Sequence, residues 1–151
     1  VQGALDALGL DIQVRRFERS TRTAPEAAAA VGCELGAIVK SLCFLVDDRP
    51  VLVLAAGDRR VDSKALRRIY GVSKRKVRIA GPQRVEAETG FSVGGVAPLA
   101  HPRPLPTLID RSLSRFEIVY AAAGSANSIF PIPYETLVAV TQGEVHDLSR
   151  E

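Results

Sequence analysis

Two apolar runs, residues 39–46 and 51–56, flank the polar tetrapeptide Asp47-Asp48-Arg49-Pro50, and no other feature limits the fold as sharply. Runs this rich in Val and Leu, separated by so short a turn signal, read as buried strands joined in a hairpin. Other elements group around them. Ile12 and Val14 alternate with polar neighbours, which makes residues 11–17 a first strand. Thr23-Ala24-Pro25-Glu26 has the form of a capping box and opens an alanine-rich helix that Gly32 closes. A helical turn at residues 34–36 leads into the hairpin. Asp62 or Ser63 caps a helix with Leu66, Ile69 and Tyr70 on one face, arginines on the other and Gly71 at its end. Residues 82–89 form a short helix stopped by Gly90, and residues 91–106 are rich in Gly and Pro. Leu108-Ile109 and residues 116–122 are strand-like, residues 124–133 read as a loop, residues 134–140 as the last helix, and a strand lies near Val145. The expected fold class is therefore α/β of the mixed α+β kind: one domain over residues 1–151, with a mixed, mostly antiparallel sheet curled toward a barrel and surrounded by helices.

Composition sets the outer limits. The chain has 151 residues, 46% hydrophobic, with a net charge of +3, enough for one core and too apolar for a disordered chain. Its longest apolar runs fall far short of the ~18 residues of a membrane span. Asp6 and Asp11 interrupt the start where a signal peptide would be apolar. Two cysteines, Cys33 and Cys43, are too few for a disulfide framework and read as packing residues. A cytoplasmic protein with no membrane partner is expected. Charge is unevenly spread: half of the 20 basic residues lie between Arg59 and Arg84, with Asp62 the one acid among them. Such a block is either a solvated helix face or the footprint of a polyanion, and a pI of 9.1 favours the second.

Few residues are placed to do chemistry. Lys40 interrupts an apolar strand opening, where an ammonium either snorkels to solvent or aims at a phosphate or developing oxyanion. The segment Thr89-Gly90-Phe91-Ser92-Val93-Gly94-Gly95-Val96-Ala97-Pro98 is either a tight turn or a close backbone approach to a ligand. A further glycine loop, Gly124-Ser125, and strand-end carboxylates at Asp58 and Asp110 are ordinary turn formers or site residues. His101 and His146 have no partners at metal-ligand spacing, and no nucleophile elbow occurs, so neither a metal nor another cofactor is expected.

In this order and spacing, Val39-Lys40-Ser41-Leu42, Val51-Leu52-Val53-Leu54, the segment from Thr89 to Leu99, Pro106-Thr107-Leu108-Ile109-Asp110 and Ala123-Gly124 resemble the YbaK family of prolyl-tRNA editing domains over residues 13–140. The resemblance implies hydrolysis of the ester of a mischarged aminoacyl-tRNA, most simply tRNA(Pro) bearing Cys, Ala or Ser, with prolyl-tRNA synthetase as a further partner. It implies catalytic roles for Lys40, Gly94 and Gly95, with the glycine loop at the amino acid and terminal adenosine. Substrate contacts are expected from Thr21, Ser41, Val96, Ala97, Pro98, Asp110, Gly124 and Ser125, and tRNA contacts from Arg59, Arg60, Arg67, Arg68, Lys74, Arg75 and Lys76. Thr23 reads first as a helix cap. Positions aligned with the Ser and Asp of cysteine-specific members are Ala122 and Ile129, Phe17 replaces an aromatic hydroxyl, and the histidine loop of alanine-editing members is absent. The edited amino acid stays open, as does the nucleophile, water or the substrate itself. Two other readings remain at this point: a non-catalytic module that binds tRNA, another nucleic acid or a synthetase, and a small-molecule binder.

Overall fold

A computed structural model describes residues 1–150. The hairpin is its centre. Strand β2 (Ile38–Val46) pairs from Val39 to Val46 with β3 (Arg49–Ala56). The turn is tighter than the sequence suggests: Asp47 and Asp48 both have positive φ, 50° and 65°, and pairing resumes at Arg49. Two left-handed residues give the turn whose twist matches a hairpin, and Asp tolerates that conformation better than most side chains.

Both faces of the hairpin are covered, which accounts for its unbroken apolar runs. One face carries Val39, Cys43, Leu45, Leu52 and Leu54 into the main core. There they meet Leu5 of α1 (Gln2–Ala7), Val85 of α4 (Pro82–Thr89) and Leu137 of α5 (Tyr134–Thr141). The other face packs Phe44, Val46, Val51 and Val53 against Ala65 and Leu66 of α3 (Ser63–Tyr70). Near the start of β2, Ile38 meets Ala27 and Ala28 of α2 (Ala24–Val31). The cap and stop signals are realised: Thr23 and Glu26 form a reciprocal capping box, Asp62 caps α3 through the Lys64 N–H, and Gly32, Gly71 and Gly90 close α2, α3 and α4 in the left-handed region. The apolar face expected of α3 is narrower than the sequence suggests: Ala65 and Leu66 are buried, whereas Ile69 and Tyr70 are exposed.

The remaining strands are β1 (Arg15–Arg16), β4 (Arg60–Val61), β5 (Val77–Ile79), β6 (Thr107–Asp110), β7 (Ile118–Ala122), β8 (Ser128–Pro133), β9 (Glu144–His146) and β10 (Ser149–Arg150). The main sheet runs β1-β8-β7-β2-β3-β6-β9, with β5 joined to the far half of β2 and β4 paired with β10 apart from it. The β2–β7, β3–β6 and β6–β9 pairs are parallel, the others antiparallel. The mixed α/β class is as expected, but the sheet is not closed into a barrel: β1 and β9 end the path.

Two local expectations change. Residues 124–133, read as a loop, contain β8, whose Pro131 and Pro133 masked a strand. The Ala123 N–H donates to the Ser128 carbonyl and the Tyr134 N–H to the Glu117 carbonyl, so even-numbered residues of β8 face β7. Both prolines then turn their nitrogens to the outer edge, where β1 no longer reaches and no N–H is needed. The strand expected over residues 11–17 shortens to Arg15–Arg16, because the Gln2 amide takes its place: Gln2 Nε2 donates to the Ile12 carbonyl (2.8 Å) and Oε1 accepts from the Val14 N–H (2.9 Å).

Candidate active site

The edge of β2 that faces away from β3 changes partner midway. Strand β7 covers Ile38 and Val39, and β5 covers Phe44 to Val46. The Cys43 carbonyl accepts from the Ala80 N–H and the Asp47 N–H donates to the Lys76 carbonyl, so odd-numbered residues of β2 turn their peptide groups to this edge. Ser41 falls between the two partners, and among the described residues its backbone amide and carbonyl meet no strand. The cleft opens at this gap. It has a volume of about 350 Å³ and is walled by Thr21 to Ala24 and Ala27, residues 38–42, Val93, Gly94 and Val96, Tyr120 to Ala122, and Ile129.

Lys40 enters the cleft half-buried. Its ammonium donates to the Arg59 backbone carbonyl, in the connection that follows β3. Burial pushes its pKa below the ordinary lysine value, Asp58 pulls it back up and Arg60 pushes it down again. Asp58 is held by a two-pronged pairing with Arg115, at 2.7 and 3.0 Å. That contact keeps its carboxyl below the usual range, against the opposing effect of burial. An ammonium tied to one carbonyl keeps two further N–H donors for an anion. Beside it, the Ser41 Oγ is buried without a hydrogen-bond partner among the described residues.

The glycine pair divides its work. Gly94 lines the cleft with φ +92°, and a Cβ there would collide with the Arg22 side chain. Gly95 lies behind the wall. Its N–H is already donated to the Ser92 carbonyl (3.0 Å), and a Cβ on it would sit 2.9 Å from the Ser125 N and Cα. Of this pair, only Gly94 therefore has an N–H left to offer a ligand. His101 braces the loop from below: its Nε2 donates to the Ala97 carbonyl at 2.8 Å, its ring meets the edge of Phe91, and burial lowers its pKa.

Thr21, Lys40, Ser41, Gly94 and Val96 thus gather around one cleft. Ala97 and Pro98 are buried behind the loop, and Gly124 packs against the Phe91 ring. Ser125 bonds to Ser128 Oγ (2.5 Å) and Asn127 Oδ1 (2.9 Å) without lining the cleft. Asp110 lies elsewhere and clasps the chain's last segment: its carboxylate accepts from the Leu148 N–H (2.7 Å) and from the hydroxyls of Ser149 (2.6 Å) and Ser112. Of the basic residues, Arg59 adjoins Lys40 through its carbonyl and Arg60 lies on β4. Arg67 and Arg68 share with Lys64 a shallow depression on α3, while Lys74, Arg75 and Lys76 form a 3₁₀ turn. Sequence reasoning passed over Arg22 and Tyr120, both in the cleft wall. The available signal for Arg22 was the arginine-rich run just ahead of the capping box. Among the described residues no three His, Cys, Asp or Glu side chains converge as a metal site, and no helix is long and apolar enough to cross a membrane.

Comparison with known proteins adds to this geometry. A family model described as an aminoacyl-tRNA editing domain matches residues 18–140. The chain is 39% identical over 116 residues to the uncharacterized protein YwhH of Bacillus subtilis, covering 76% of this chain and 72% of that one. It is 24% identical over 128 residues to EbsC of Enterococcus faecalis, a candidate Cys-tRNA(Pro)/Cys-tRNA(Cys) deacylase, covering 84% and 77% of the two chains. A proline–tRNA ligase of Nitratidesulfovibrio vulgaris matches 51% of this chain at 35% identity, over 13% of its own length. Among solved structures, a candidate trans-editing enzyme for prolyl tRNA synthetase superposes with a TM-score of 0.92 at 40% identity, covering 99% of this chain and 94% of that one.

Proposed function

The chain belongs to the aminoacyl-tRNA editing domain family, and from that premise we propose that it is a trans-acting deacylase of mischarged tRNA, with tRNA(Pro) carrying Cys, Ala or Ser as its substrate class. The observation that carries this reading is the meeting of the half-buried Lys40 ammonium and the Gly94 backbone in one cleft. Ester hydrolysis passes through a tetrahedral oxyanion. Water, or a nucleophile on the substrate, adds to the ester carbonyl; the intermediate then collapses and expels the terminal ribose oxygen, which takes up a proton. Lys40 and the Gly94 N–H supply donors on which that negative charge can settle, and no nucleophilic side chain of the protein is required. A cleft of about 350 Å³ is at the small end of ligand sites. It suits an aminoacyl group and its ribose, and leaves the body of the tRNA outside. The ligase and deacylase relatives favour proline-specific tRNA, and translation makes the cytoplasm its place of work.

The test is to incubate the protein with tRNA(Pro) charged separately with cysteine, alanine, serine and proline, beside a no-enzyme control. Loss of one or more noncognate esters with prolyl-tRNA spared is expected, and Lys40→Ala should slow it on the order of 100–1000-fold. If none of the four esters is lost faster than the control, the tRNA(Pro) deacylase reading is wrong. A protein that binds the same tRNA without hydrolysing it would then be the non-catalytic module.

A further inference from the structure

The basic residues of this chain are of two kinds. Within the block from Arg59 to Arg84, several are already neutralised: Arg59 faces Asp58 at 3.9 Å, Lys76 faces Asp47 at 3.2 Å, and Arg78 and Arg84 share Asp48 at 3.3 and 3.2 Å. In the same block Arg60, Lys64, Arg67, Arg68, Lys74 and Arg75 form no ion pair with a described residue. Nor do Arg15, Arg16, Arg19 and Arg22, which lie close together in sequence with Glu18 as the one acid in the run; what sets this second group apart is its place beside the cleft.

Arg22 has the most defined position of the four. Its backbone is fixed from both sides, by the Thr21 N–H donating to the Ala126 carbonyl at 2.7 Å and by the Thr23–Glu26 capping box. Its side chain lines the cleft and runs across Gly94, where a Cβ would collide with its Cγ and approach its Nε to 3.1 Å. A side chain at position 94 would push Arg22 away from the loop. Arg22 itself is exposed, so its guanidinium sits uncompensated at the cleft mouth. Along β1, Arg15 pairs in register with Ile129, another lining residue, and so lies on the cleft face of the sheet.

We propose that Arg22 is a phosphate clamp: it binds the phosphodiester next to the terminal nucleoside of the substrate RNA, and Arg19 and Arg15 carry the approaching strand along β1. On this proposal the RNA end arrives over β1 and the start of α2. A cleft that holds only the aminoacyl group and its sugar leaves the adjoining phosphate at its rim. A planar guanidinium matches two phosphate oxygens at once, and an unpaired one needs no carboxylate displaced first. This inference rests on the reading of the substrate as an aminoacyl-tRNA.

Two measurements test it. The first is binding of fluorescein-labelled uncharged tRNA(Pro) by anisotropy across 50–200 mM salt, for wild type, Arg22→Ala, Arg22→Lys and Arg49→Ala, the last an exposed arginine beside the hairpin turn. Arg22→Ala is expected to weaken binding about 5–10-fold and to lower the slope of log K against log salt by about one. Arg22→Lys should recover part of the affinity, and Arg49→Ala should bind as wild type. The second compares hydrolysis of aminoacyl-tRNA with that of aminoacyl-adenosine, which has no phosphate. Arg22→Ala should raise KM for the tRNA far more than it lowers kcat, and shrink the preference for tRNA over aminoacyl-adenosine by about the same 5–10-fold. Should Arg22→Ala bind tRNA like Arg49→Ala, or lose both esters equally, the clamp is refuted, as it is if wild type binds no tRNA. If wild type hydrolyses neither ester while Arg22→Ala still loses tRNA affinity, the deacylase reading fails and the clamp stands.

Discussion

Replacing Gly95 by alanine adds one methyl group against a wall that has little freedom to move. The new Cβ would lie 2.9 Å from the Ser125 N and Cα and 3.0 Å from its carbonyl carbon. Carbon contacts settle near 3.5–4.0 Å, so the overlap is roughly 0.6–1 Å and falls on backbone. The φ of Gly95 is not positive, so the substitution brings steric conflict without backbone strain. The loop it meets is tied down at each step: Ser125 Oγ to Ser128 and Asn127, the Ala126 carbonyl to Thr21, and Asn127 to the Phe17 backbone. Over-packing of this kind costs about 1–3 kcal/mol. For a domain of this size each kcal/mol lowers Tm by about 2–4 °C, so the expected fall is about 2–12 °C by circular dichroism. Gly3→Ala is the control, since a Cβ there has no neighbour within 4 Å and alanine inside a helix is no less stable than glycine. If the Tm of Gly95→Ala lies within about 1 °C of wild type while Gly3→Ala shows no loss, the loop recedes freely and the steric argument fails.

Two further predictions concern charge. The folded-state pKa of Lys40 is below its unfolded value because of burial. Its ammonium is therefore lost at a lower pH than an ordinary lysine, and the hydrolysis proposed above should decline with rising pH before ~10.4. A pH profile of kcat/KM, corrected for spontaneous ester loss, checks this, and a flat alkaline limb past that point would dissociate Lys40 charge from activity. Asp110 is buried, which raises its pKa, but hydrogen bonds from Ser112, Ser149 and the Leu148 N–H outweigh that and leave it depressed. A depressed carboxylate contributes stability that is present above the unfolded value of ~3.9 and lost as pH falls through the folded one. Asp110→Ala should cost about 2–4 kcal/mol at pH 7 by urea unfolding, with the deficit shrinking below about pH 4; an equal deficit at pH 7 and pH 3 would contradict the assignment.

What was legible in the sequence is what local chemistry decides. Thr23 with Glu26, Asp62, and the glycines at 32, 71 and 90 each act within a few residues of themselves, and the structure places each as its local pattern implies. The strand β8 was hidden because the tolerance of Pro131 and Pro133 depends on which edge of the sheet is bare, a fact of topology. The shortening of β1 turns on one distant amide, that of Gln2. At the candidate site, Lys40 and Ser41 are adjacent in sequence and stay together in the cleft. Gly94 and Gly95 are adjacent too, yet one faces the cleft and the other faces Ser125, a division fixed by φ and by a loop about thirty residues away in the chain. Arg22 escaped notice because an arginine's worth lies in whether a carboxylate has claimed it, which composition does not record.

The break in β2's pairing has a consequence for what the cleft will accept. Peptide groups in a sheet interior are satisfied by the next strand, but among the described residues no strand covers this edge at Ser41, and its hydroxyl is buried without a partner there. Ser41 is only partly buried although its hydroxyl is closed to solvent, so when no ligand is bound water has to serve its peptide group, in a cleft whose lining also includes Ile38, Leu42 and Ile129. A hydrocarbon of the right size would strip that water and return nothing, at a penalty of about 1–3 kcal/mol for each polar group stranded. A guest carrying its own donors and acceptors would replace the lost strand. The gap thus filters by hydrogen-bonding capacity before size is ever compared.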